Sequence, residues 1–470
     1  MENGFFKKFL IVIFSLLCAV FFFCGGYLCC QLFSFNIADD KMANFDRVYT
    51  YLLKDFYYGE DSEEYSEKLI NDAIKGMVNA QNDIHSEYMT AEELGNFTSS
   101  LSSTFVGIGV TYQKIDGQIF VQEVIRSSPA ETAGVQAGDV ITQIDGVILN
   151  DDNIDAMIDT IAGEIGTVVN VTVKRGNQNL SIDIVRQRIS NTVFSTIKDG
   201  IGILSITSFA DGTTQEVKNH LDYLKENNVN NLVIDLRDNT GGYASTLDGI
   251  CSLFMDKGDI VMREYDRYGN EYVDEVKKSD KYQFNKIAII INDYSASCSE
   301  VFTLAMIENC NAVTVGETSY GKGVAQITTM LNDGSALKYT DLIWKSGNGV
   351  FIGGTGIEPD YPVKLHDALY MSNLIFDDNE TYCYDQVSEK VAQSQTLLDF
   401  LGYKVDREDG YFSLMTQQAI SQFQKDSGIN ADGILNKETA NELNSAVVRY
   451  WVTNRDNLDI QLQKAVEIVK

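Results

Sequence analysis

The alternation of apolar strands with amphipathic helices between residues 195 and 370 constrains the fold of this chain most. The alternating segments are G-I-L-S-I, Gln215 to Asn227, N-L-V-I-D-L, Ser245 to Met255, I-A-I-I-I and Glu300 to Glu308. Continuous apolar strands that alternate with helices are typical of a largely parallel sheet buried on both faces. From Ala325 to Val363 the pattern returns to strands. We therefore predict an α/β domain in this region.

Changes in patterning on either side of this core predict further domains. Helical spacing comes before a β-rich module with glycine-containing turns, and a polar, acidic stretch from Asp377 to Gln386 predicts a linker after the core. The predicted boundaries are 1–36 for an N-terminal segment, 37–98 for a helical region, 99–190 for the β-rich module, 191–376 for the α/β core, 388–446 for a small helical domain and 447–470 for a helical tail. The predicted fold class is a multidomain α/β chain, for which 470 residues with 44% hydrophobic content are ample.

An uncharged apolar stretch from Phe9 to Phe33 is about as long as a helix must be to cross a bilayer. Two lysines precede it and two aspartates follow it, so the positive-inside tendency puts the short N-terminus in the cytoplasm and the remainder outside. The alternative is a cleaved signal peptide, but the stretch is long and no A-x-A site follows it. We predict a single transmembrane helix that anchors the chain.

Composition excludes several classes of function. The chain has 67 acidic and 37 basic residues, a formal net charge of −30, whereas nucleic acid binding needs clusters of Lys and Arg. Four of the eight cysteines lie in or beside the N-terminal apolar stretch, and no C-x-x-C pair or Cys/His cluster with zinc spacing occurs. We predict no metal, no cofactor and no disulfide framework, although an isolated bridge stays open.

The three histidines, His85, His220 and His366, do not lie in a G-x-S-x-G elbow or an H-E-x-x-H helix. A Ser-His-Asp triad and a zinc hydrolase are therefore poorly supported. His85 and His220 lie in acidic segments predicted to be helical, and we expect structural roles for them.

The stretch I-I-I-N-D-Y-S-A-S-C-S-E-V-F runs from an apolar strand through small hydroxyl residues directly into a helix. A serine at such a junction has its oxygen exposed at the carboxyl end of a buried sheet, beside unpaired N–H groups of the first helical turn. The alternative is simple N-capping by Ser297 or Ser299, with Glu300 in the first turn. On this stretch alone the capping interpretation is favoured, because cap serines far outnumber catalytic ones.

A lysine can replace histidine as a general base only when desolvation lowers its pKa toward neutrality. Lys322 lies between two glycines in T-S-Y-G-K-G-V-A-Q, next to an apolar strand, which is a suitable setting. The alternative is a solvated turn lysine, which local sequence alone favours. A third element, D-L-R-D-N-T-G-G after the strand Asn231 to Leu236, has adjacent glycines that form a tight turn or donate N–H groups to a ligand.

Together these elements resemble the active site of the C-terminal processing peptidases, also called tail-specific proteases. The matching motifs are L-R-D-N-T-G-G at 236–242, S-A-S-C-S-E at 295–300 and G-E-T-S-Y-G-K-G-V-A-Q at 316–326. The separation of 25 residues between Ser297 and Lys322 also agrees with the family pattern. The resemblance implies a crotonase/ClpP-like fold for the peptidase core.

The resemblance also assigns roles to individual residues. They are Ser297 as nucleophile, Lys322 as general base, Gln326 as the residue that orients the lysine, and the backbone N–H groups of Cys298 and of Gly241 or Gly242 as the oxyanion hole. Cys298 stands where alanine is usual in the family, and Thr240 stands where proline is common. The segment W-K-S-G near residue 344 also departs from the family pattern and leaves the shape of the substrate groove open.

Residues 99–190 resemble a PDZ domain inserted into the peptidase, on the strength of T-F-V-G-I-G-V at 104–110 and S-S-P-A-E-T-A-G-V-Q-A-G-D-V-I-T-Q-I-D-G at 127–146. The backbone of Gly107, Ile108, Gly109 and Val110 would then bind the terminal carboxylate of a peptide that adds to the sheet edge as a strand. The alternative is a plain hairpin turn. Ala162 occupies a position where the family often has arginine, so coupling through that residue differs here.

Residues 388–446, with L-L-D-F-L-G-Y and A-D-G-I-L-N-K-E-T, resemble a peptidoglycan-binding domain of the three-helix type. The alternative is a helical domain for packing or dimerisation, because a shared fold does not secure ligand binding.

We predict a membrane-anchored serine endopeptidase on the outer side of a bacterial cell membrane. It would capture protein substrates by their exposed C-terminal tails in the PDZ domain and cleave envelope proteins through an acyl-enzyme on Ser297. Peptidoglycan is the second expected partner. A non-catalytic envelope scaffold is the alternative, and the substrate and the oligomeric state, including a homodimer, stay open.

Overall fold

The computed structural model describes residues 39–102, 104–115, 117–125, 128–176, 178–190 and 192–470. The predicted transmembrane stretch from Phe9 to Phe33 lies outside these described residues. Among the helices that are described, none is both long and apolar enough to cross a bilayer. The chain divides into two compact units, one with residues up to 94 and 327–339, the other with residues 95–326 and 340–470.

The first unit contains two helices and a short strand. These are α1 Asp39–Lys54, α2 Glu63–Asn79 and β1 Glu87–Met89, and a third helix, α3 Ala91–Ser102, follows along the chain. Helix α2 begins after Ser62, whose Oγ accepts the N–H of Tyr65 at 3.2 Å. Strand β1 pairs antiparallel with a segment in which Leu337 lies opposite Tyr88. Helical spacing did not predict this strand, because its partner lies about 250 residues further on.

The β-rich module is an antiparallel sheet with two short helices. Its elements are β2 Thr104–Gly107, β3 Val110–Ile115, β4 Gln118–Val124, α4 Pro129–Ala133, β5 Val140–Ile144, β6 Val147–Ile148, α5 Ile154–Ile161, β7 Val168–Arg175, β8 Gln178–Val185 and β9 Gln187–Ser190. The strand order β3-β4-β5-β7-β8 leaves β3 at one edge of the sheet. Strands β2 and β9 pair with each other, so both ends of the module lie together.

The α/β core contains a six-stranded sheet in the order β10-β11-β12-β15-β16-β19. Its elements are β10 Val193–Lys198, β11 Ile201–Ile206, α6 Thr213–Glu226, β12 Asn231–Asp235, α7 Ala244–Cys251, β15 Lys286–Ile291, α8 Cys298–Cys310, β16 Val313–Gly316 and β19 Tyr361–Pro362. Strands β11, β12, β15, β16 and β19 run parallel, and only β10 is antiparallel to its neighbour. The predicted parallel α/β arrangement is therefore confirmed.

A second group of strands completes the core region: β13 Ile260–Asp266, β14 Glu271–Glu275, β17 Val324–Met330 and β18 Ala336–Ser346. Within the second unit, β13 pairs antiparallel with β14 on one side and with the end of β18 on the other.

The C-terminal region has four helices and a small strand pair. They are β20 Thr381–Tyr382, α9 Glu389–Phe400, α10 Leu414–Asp426, β21 Leu435–Asn436, α11 Lys437–Leu458 and α12 Ile460–Val469. Strand β20 pairs with β21, so the polar stretch predicted as a linker belongs to this domain. The boundary predicted at residue 446 falls inside α11.

The two faces of the parallel sheet are buried in different ways. Helices α6, α7 and α8 contribute to an apolar core on one face, which includes Leu221, Ile250 and Phe302. The other face is covered by α12, whose Ala465, Val466 and Val469 pack on Val233, Ala288 and Ile290 in a separate cluster. The last helix of the chain thus returns to the sheet of the α/β core.

Candidate active site

Ser297 lies between the end of β15 and the start of α8, at the N-cap position of the helix. Its backbone has φ 58° and ψ −119°, a conformation that residues with a side chain rarely adopt. The cap serines Ser62, Ser388 and Ser413 are instead extended, and each accepts an N–H from the first turn of its helix. The capping interpretation was right about the position of Ser297, but this backbone is not that of an ordinary cap.

Glu300 joins the Ser297 segment to the Lys322 segment. Its side chain is buried, with 1% exposure, and its Oε2 accepts the backbone N–H of Ser297 and that of Lys322, each at 2.9 Å. Its Oε1 accepts the hydroxyl of Ser319 at 2.5 Å and the N–H of Gly321 at 2.6 Å. One carboxylate group therefore fixes the backbone on both sides of the predicted dyad.

Lys322 lies in the loop between β16 and β17 and is half-buried. Its charge affects the Cys298 thiol, the residue after Ser297. Burial raises the pKa of Cys298 to about 11, while the Gly242 carbonyl, Ser297 and the Lys322 charge lower it in part. Cys298 is accordingly a neutral thiol at physiological pH, and its Sγ donates to the Gly242 carbonyl at 3.4 Å.

The glycine turn after β12 contacts the Ser297 junction directly. A Cβ at Gly241 would come within 2.9 Å of the Ser297 Cβ and 3.0 Å of the Cys298 nitrogen, so only glycine permits this approach. The Gly241 N–H donates to Asn239 Oδ1 at 2.9 Å. At Gly242 a Cβ would lie 2.3 Å from the Phe209 carbonyl oxygen. The N–H of Gly241 is therefore already bound to a side chain of the same turn.

Asn239 holds this turn in place on several sides. Its Nδ2 donates to the Ile206 carbonyl at 2.7 Å, and its own carbonyl accepts the Ala296 N–H at 3.0 Å. The same carbonyl accepts the hydroxyl of Ser299 at 2.8 Å. Because Ala296 and Ser299 flank the predicted nucleophile, Asn239 ties the glycine turn to the start of α8.

Arg237 opens the turn and is paired with acidic groups. Its Nη2 lies 2.6 Å from Asp235 Oδ2 and 2.9 Å from Asp459 Oδ2. Burial alone would lower the pKa of Arg237, but the two carboxylates hold that pKa well above its ordinary value. Burial alone would raise the pKa of Asp235, but the charge and hydrogen bonds of Arg237 outweigh it and the pKa is lowered.

Gln326 lies on β17, and its Nε2 donates to the Thr340 hydroxyl at 3.2 Å. The side chain is half-buried, and its predicted role in orienting Lys322 stays a prediction.

The predicted peptide-binding loop lies between β2 and β3. Ile108 is buried in the core of the module, and its carbonyl accepts the Ala130 N–H at 2.8 Å. The Gly109 carbonyl accepts the Ile125 N–H at 3.0 Å, and Val110 begins edge strand β3. Both carbonyls are thus bound within the domain, and an edge strand follows next in the chain. Binding of a peptide carboxylate by this loop stays a prediction.

Arg186 supports the helix beside this edge strand. Its Nε donates to the Ile161 carbonyl at 2.9 Å and its Nη2 to the Thr160 carbonyl at 2.6 Å, at the end of α5. Lys114 of β3 and Asp155 of α5 form an exposed ion pair at 2.5 Å. The family often has arginine at the position of Ala162. In this chain a different arginine, Arg186, contacts the same end of α5.

His220 has the structural role expected for it. It is buried in α6, and its Nδ1 lies 2.7 Å from the Ser195 hydroxyl.

Sequence reasoning missed three residues around the site. Glu300 was expected only as a residue of the first helical turn, and Asn239 and Asp459 were not singled out. The available signal was the position of Glu300 three residues after Ser297, which is the spacing of a capping box. Its partners in the Lys322 loop lie about twenty residues further on, beyond any local pattern.

Family models match three parts of the chain. They are peptidase family S41 over residues 200–363, a PDZ domain over residues 106–185 and a putative peptidoglycan binding domain over residues 387–443. The resemblances to a peptidase, a PDZ domain and a peptidoglycan-binding domain are thereby confirmed.

Curated relatives match most of the chain. It is 34% identical over 410 residues to a probable CtpA-like serine protease of Staphylococcus epidermidis, which covers 87% of this chain and 82% of the relative. A probable CtpA-like serine protease of Staphylococcus aureus is 33% identical over 444 residues, covering 93% of this chain and 86% of the relative. The solved photosystem II D1 C-terminal processing protease is 24% identical, with a TM-score of 0.39, covering 68% of this chain and 86% of that one.

Proposed function

The chain belongs to peptidase family S41, the C-terminal processing proteases, and from that premise we propose that it is an endopeptidase with Ser297 as nucleophile and Lys322 as general base. The serine protease class follows from the family. The proposal adds the dyad, the route by which substrates are captured and the location of the enzyme.

The observation that carries the proposal is the Glu300 carboxylate. Its Oε2 accepts the N–H groups of both Ser297 and Lys322 at 2.9 Å, so one oxygen atom holds the backbones of the two residues close together. The strained backbone of Ser297 supports the same interpretation, because unusual dihedral angles at a helix start are typical of nucleophiles and unnecessary for a cap.

In the proposed reaction, Lys322 acts in its deprotonated form, and its amine takes the proton from the Ser297 hydroxyl as the serine oxygen attacks the scissile carbonyl. The tetrahedral intermediate collapses to an acyl-enzyme, and Lys322 gives the proton to the departing amine of the C-terminal fragment. Lys322 then removes a proton from the water that attacks the ester, which restores Ser297 and releases the second product. Gln326 would orient the lysine.

We assign the oxyanion hole to the N–H groups of Cys298 and Gly242. The Gly241 N–H donates to Asn239, which favours Gly242 as the second donor. The thiol of Cys298 donates to the Gly242 carbonyl, which belongs to the next peptide group, and this bond ties the glycine turn to the start of α8.

The PDZ domain is the proposed site of substrate capture. The loop Gly107 to Val110 would bind the carboxylate of an unstructured C-terminal tail, and the tail would pair with edge strand β3. The C-terminal domain would bind peptidoglycan, and residues 9–33 would anchor the enzyme with its catalytic part outside the cell membrane. Envelope proteins are the substrates that such an arrangement reaches.

A cleavage assay on an unstructured peptide with an apolar C-terminus tests the dyad. We expect Ser297→Ala and Lys322→Ala each to lose at least about 10³-fold in kcat/KM. Ser388→Ala and Lys257→Ala serve as matched controls, because Ser388 is an ordinary cap and Lys257 is exposed. Full activity in either dyad variant contradicts the mechanism.

The same peptide with an amidated C-terminus tests capture by the PDZ domain. We expect KM to rise while kcat stays unchanged, because the loop loses the carboxylate that it binds. An unchanged KM contradicts PDZ capture and leaves the dyad intact.

A further inference from the structure

We infer that the C-terminal segment Asp459–Lys470 positions the glycine turn Arg237–Gly242, which carries the proposed oxyanion donor Gly242, with Asp459 as the positioning residue. The inference rests on the proposed function, since it gives this segment a part in that reaction. It concerns a segment that follows the peptidoglycan-binding domain in the chain and returns to the catalytic sheet.

The first observation is that Arg237 finds most of its side-chain partners in this segment. Its Nη1 donates to Asp459 Oδ1 at 3.0 Å and to Gln461 Oε1 at 3.1 Å, and its Nη2 donates to Asp459 Oδ2 at 2.9 Å. The remaining donors go to Asp235, from Nε at 2.9 Å and from Nη2 at 2.6 Å. A guanidinium has five N–H groups, and here every one has an acceptor.

The second observation is that Asp459 is built into the fold. Its side chain has 1% exposure, and Oδ1 also accepts the Leu462 N–H at 3.0 Å, which caps α12. Gln461 donates to the Val363 carbonyl at 2.8 Å at the end of the core sheet. Removing the charge of Asp459 would leave Arg237, whose side chain is only 10% exposed, with one counter-charge in place of two, and a largely buried charge that loses a partner is costly.

The third observation is the short path from Arg237 to the reacting groups. Asp238 follows it, with its N–H bound to Asn292 Oδ1 at 2.9 Å, and Asn239 then ties the turn to the start of α8. Gly242 is three residues beyond Asn239. A displacement of about 1 Å in such a turn is enough to reduce turnover about a hundredfold.

The fourth observation is that one side of the glycine turn borders a cavity and is not covered by packed side chains. A cavity of about 750 Å³ adjoins Arg237 and Asp238 and is also lined by Tyr294, Trp451 and Arg455. Since the turn faces this cavity, the buried ion pairs to Asp235 and Asp459 restrain it where packed side chains do not.

The fifth observation is the firm attachment of the segment itself. The apolar face of α12 is buried on the sheet, with Ala465 and Val469 fully covered. At the end of the chain, Lys470 Nζ pairs with Asp199 at 2.8 Å and the Ile468 carbonyl accepts Lys286 Nζ at 3.2 Å. Helix α12 therefore provides a fixed base from which Asp459 restrains Arg237.

The test uses the full-length enzyme with Asp459→Asn and, as a matched control, Asp456→Asn, which removes an exposed carboxylate three residues earlier. We expect Asp459→Asn to lower kcat about 10- to 100-fold with KM within about twofold of the wild type, at a temperature where thermal denaturation shows it folded. Asp456→Asn should match the wild type. Gln461→Met, which keeps both charges of the ion pair, should lower kcat by a smaller factor.

A double-mutant cycle separates positioning from general destabilisation. If Asp459 acts through Arg237, then Arg237→Gln combined with Asp459→Asn should have the kcat of Arg237→Gln alone. Additive losses, or unchanged kcat in both Asp459→Asn and Gln461→Met, overturn the inference. If the wild type fails to cleave the peptide, the proposed function itself fails and the inference fails with it.

Discussion

Ser297 and Ser388 occupy the same position at the start of two helices, yet their backbones differ. Ser388 is extended, at φ −161° and ψ 150°, and its Oγ accepts the Lys390 N–H at 3.2 Å. Ser297 has φ 58° and ψ −119°, and its N–H is bound by Glu300. Both serines therefore occupy cap positions, and Glu300 completes a capping box at Ser297. What sets Ser297 apart is its strained backbone and the further hydrogen bonds of Glu300 to the Lys322 loop, neither of which a cap needs.

The largest expected effect is that of Ser297→Gly. Activity should fall at least about 10³-fold, as in Ser297→Ala, because the nucleophile is lost. The free energy of unfolding should rise by about 1 kcal/mol, because glycine adopts this backbone conformation without strain. Peptide cleavage and chemical denaturation measure the two effects, and a less stable variant would contradict the claim of strain at this junction.

The next effect is that of Glu300→Gln, which keeps the size of the side chain. The new amide would place N–H donors against N–H groups that now donate to the carboxylate. We expect kcat to fall about 10- to 100-fold and stability to fall by about 2 kcal/mol. Wild-type kcat in this variant would mean that the link between Ser297 and Lys322 is dispensable.

Ser388→Ala should show the opposite pattern from Ser297→Gly. Loss of an ordinary cap costs about 1 kcal/mol of stability, and the helix lies in the C-terminal domain, so cleavage of the peptide should not change. Thermal denaturation and the cleavage assay together measure this. A large loss of activity would remove the contrast between the two serines.

The smallest effect is expected for Cys298→Ala. A thiol is a weak hydrogen-bond donor, so loss of its bond to Gly242 should leave activity within about threefold of the wild type. With its pKa at about 11, Cys298 has almost no thiolate at pH 7 and should react slowly with iodoacetamide. Rapid inactivation by that reagent would point to a cysteine nucleophile instead.

Local sequence patterns predicted the layers of the core and the three motifs of the site. The predicted helix from Glu300 to Glu308 lies inside α8, and the predicted strand from Asn231 to Leu236 contains β12. The spacing of apolar residues along the chain predicts these helices and strands, and that spacing is a local property of the sequence. The nucleophile, base and oxyanion assignments depended on the joint resemblance of the motifs.

Contacts between distant segments could not be predicted in this way. A helical tail was expected over residues 447–470, but nothing in its amphipathic spacing indicates that α12 covers the sheet of the core. The polar stretch at 377–386 was predicted as a linker but contains β20. Local sequence could not show this strand, because its partner β21 lies about fifty residues later. The choice between Gly241 and Gly242 likewise depended on a hydrogen bond to Asn239.

The most direct test of the dyad is to trap the acyl-enzyme. The protein is mixed with an activated aryl ester of a substrate-like peptide, quenched in acid and mapped by mass spectrometry. We predict an acyl group on Ser297 in the wild type, none in Ser297→Ala and greatly slowed formation in Lys322→Ala. An acyl group on Cys298 or another residue, or an equal rate of acylation without Lys322, would contradict the account.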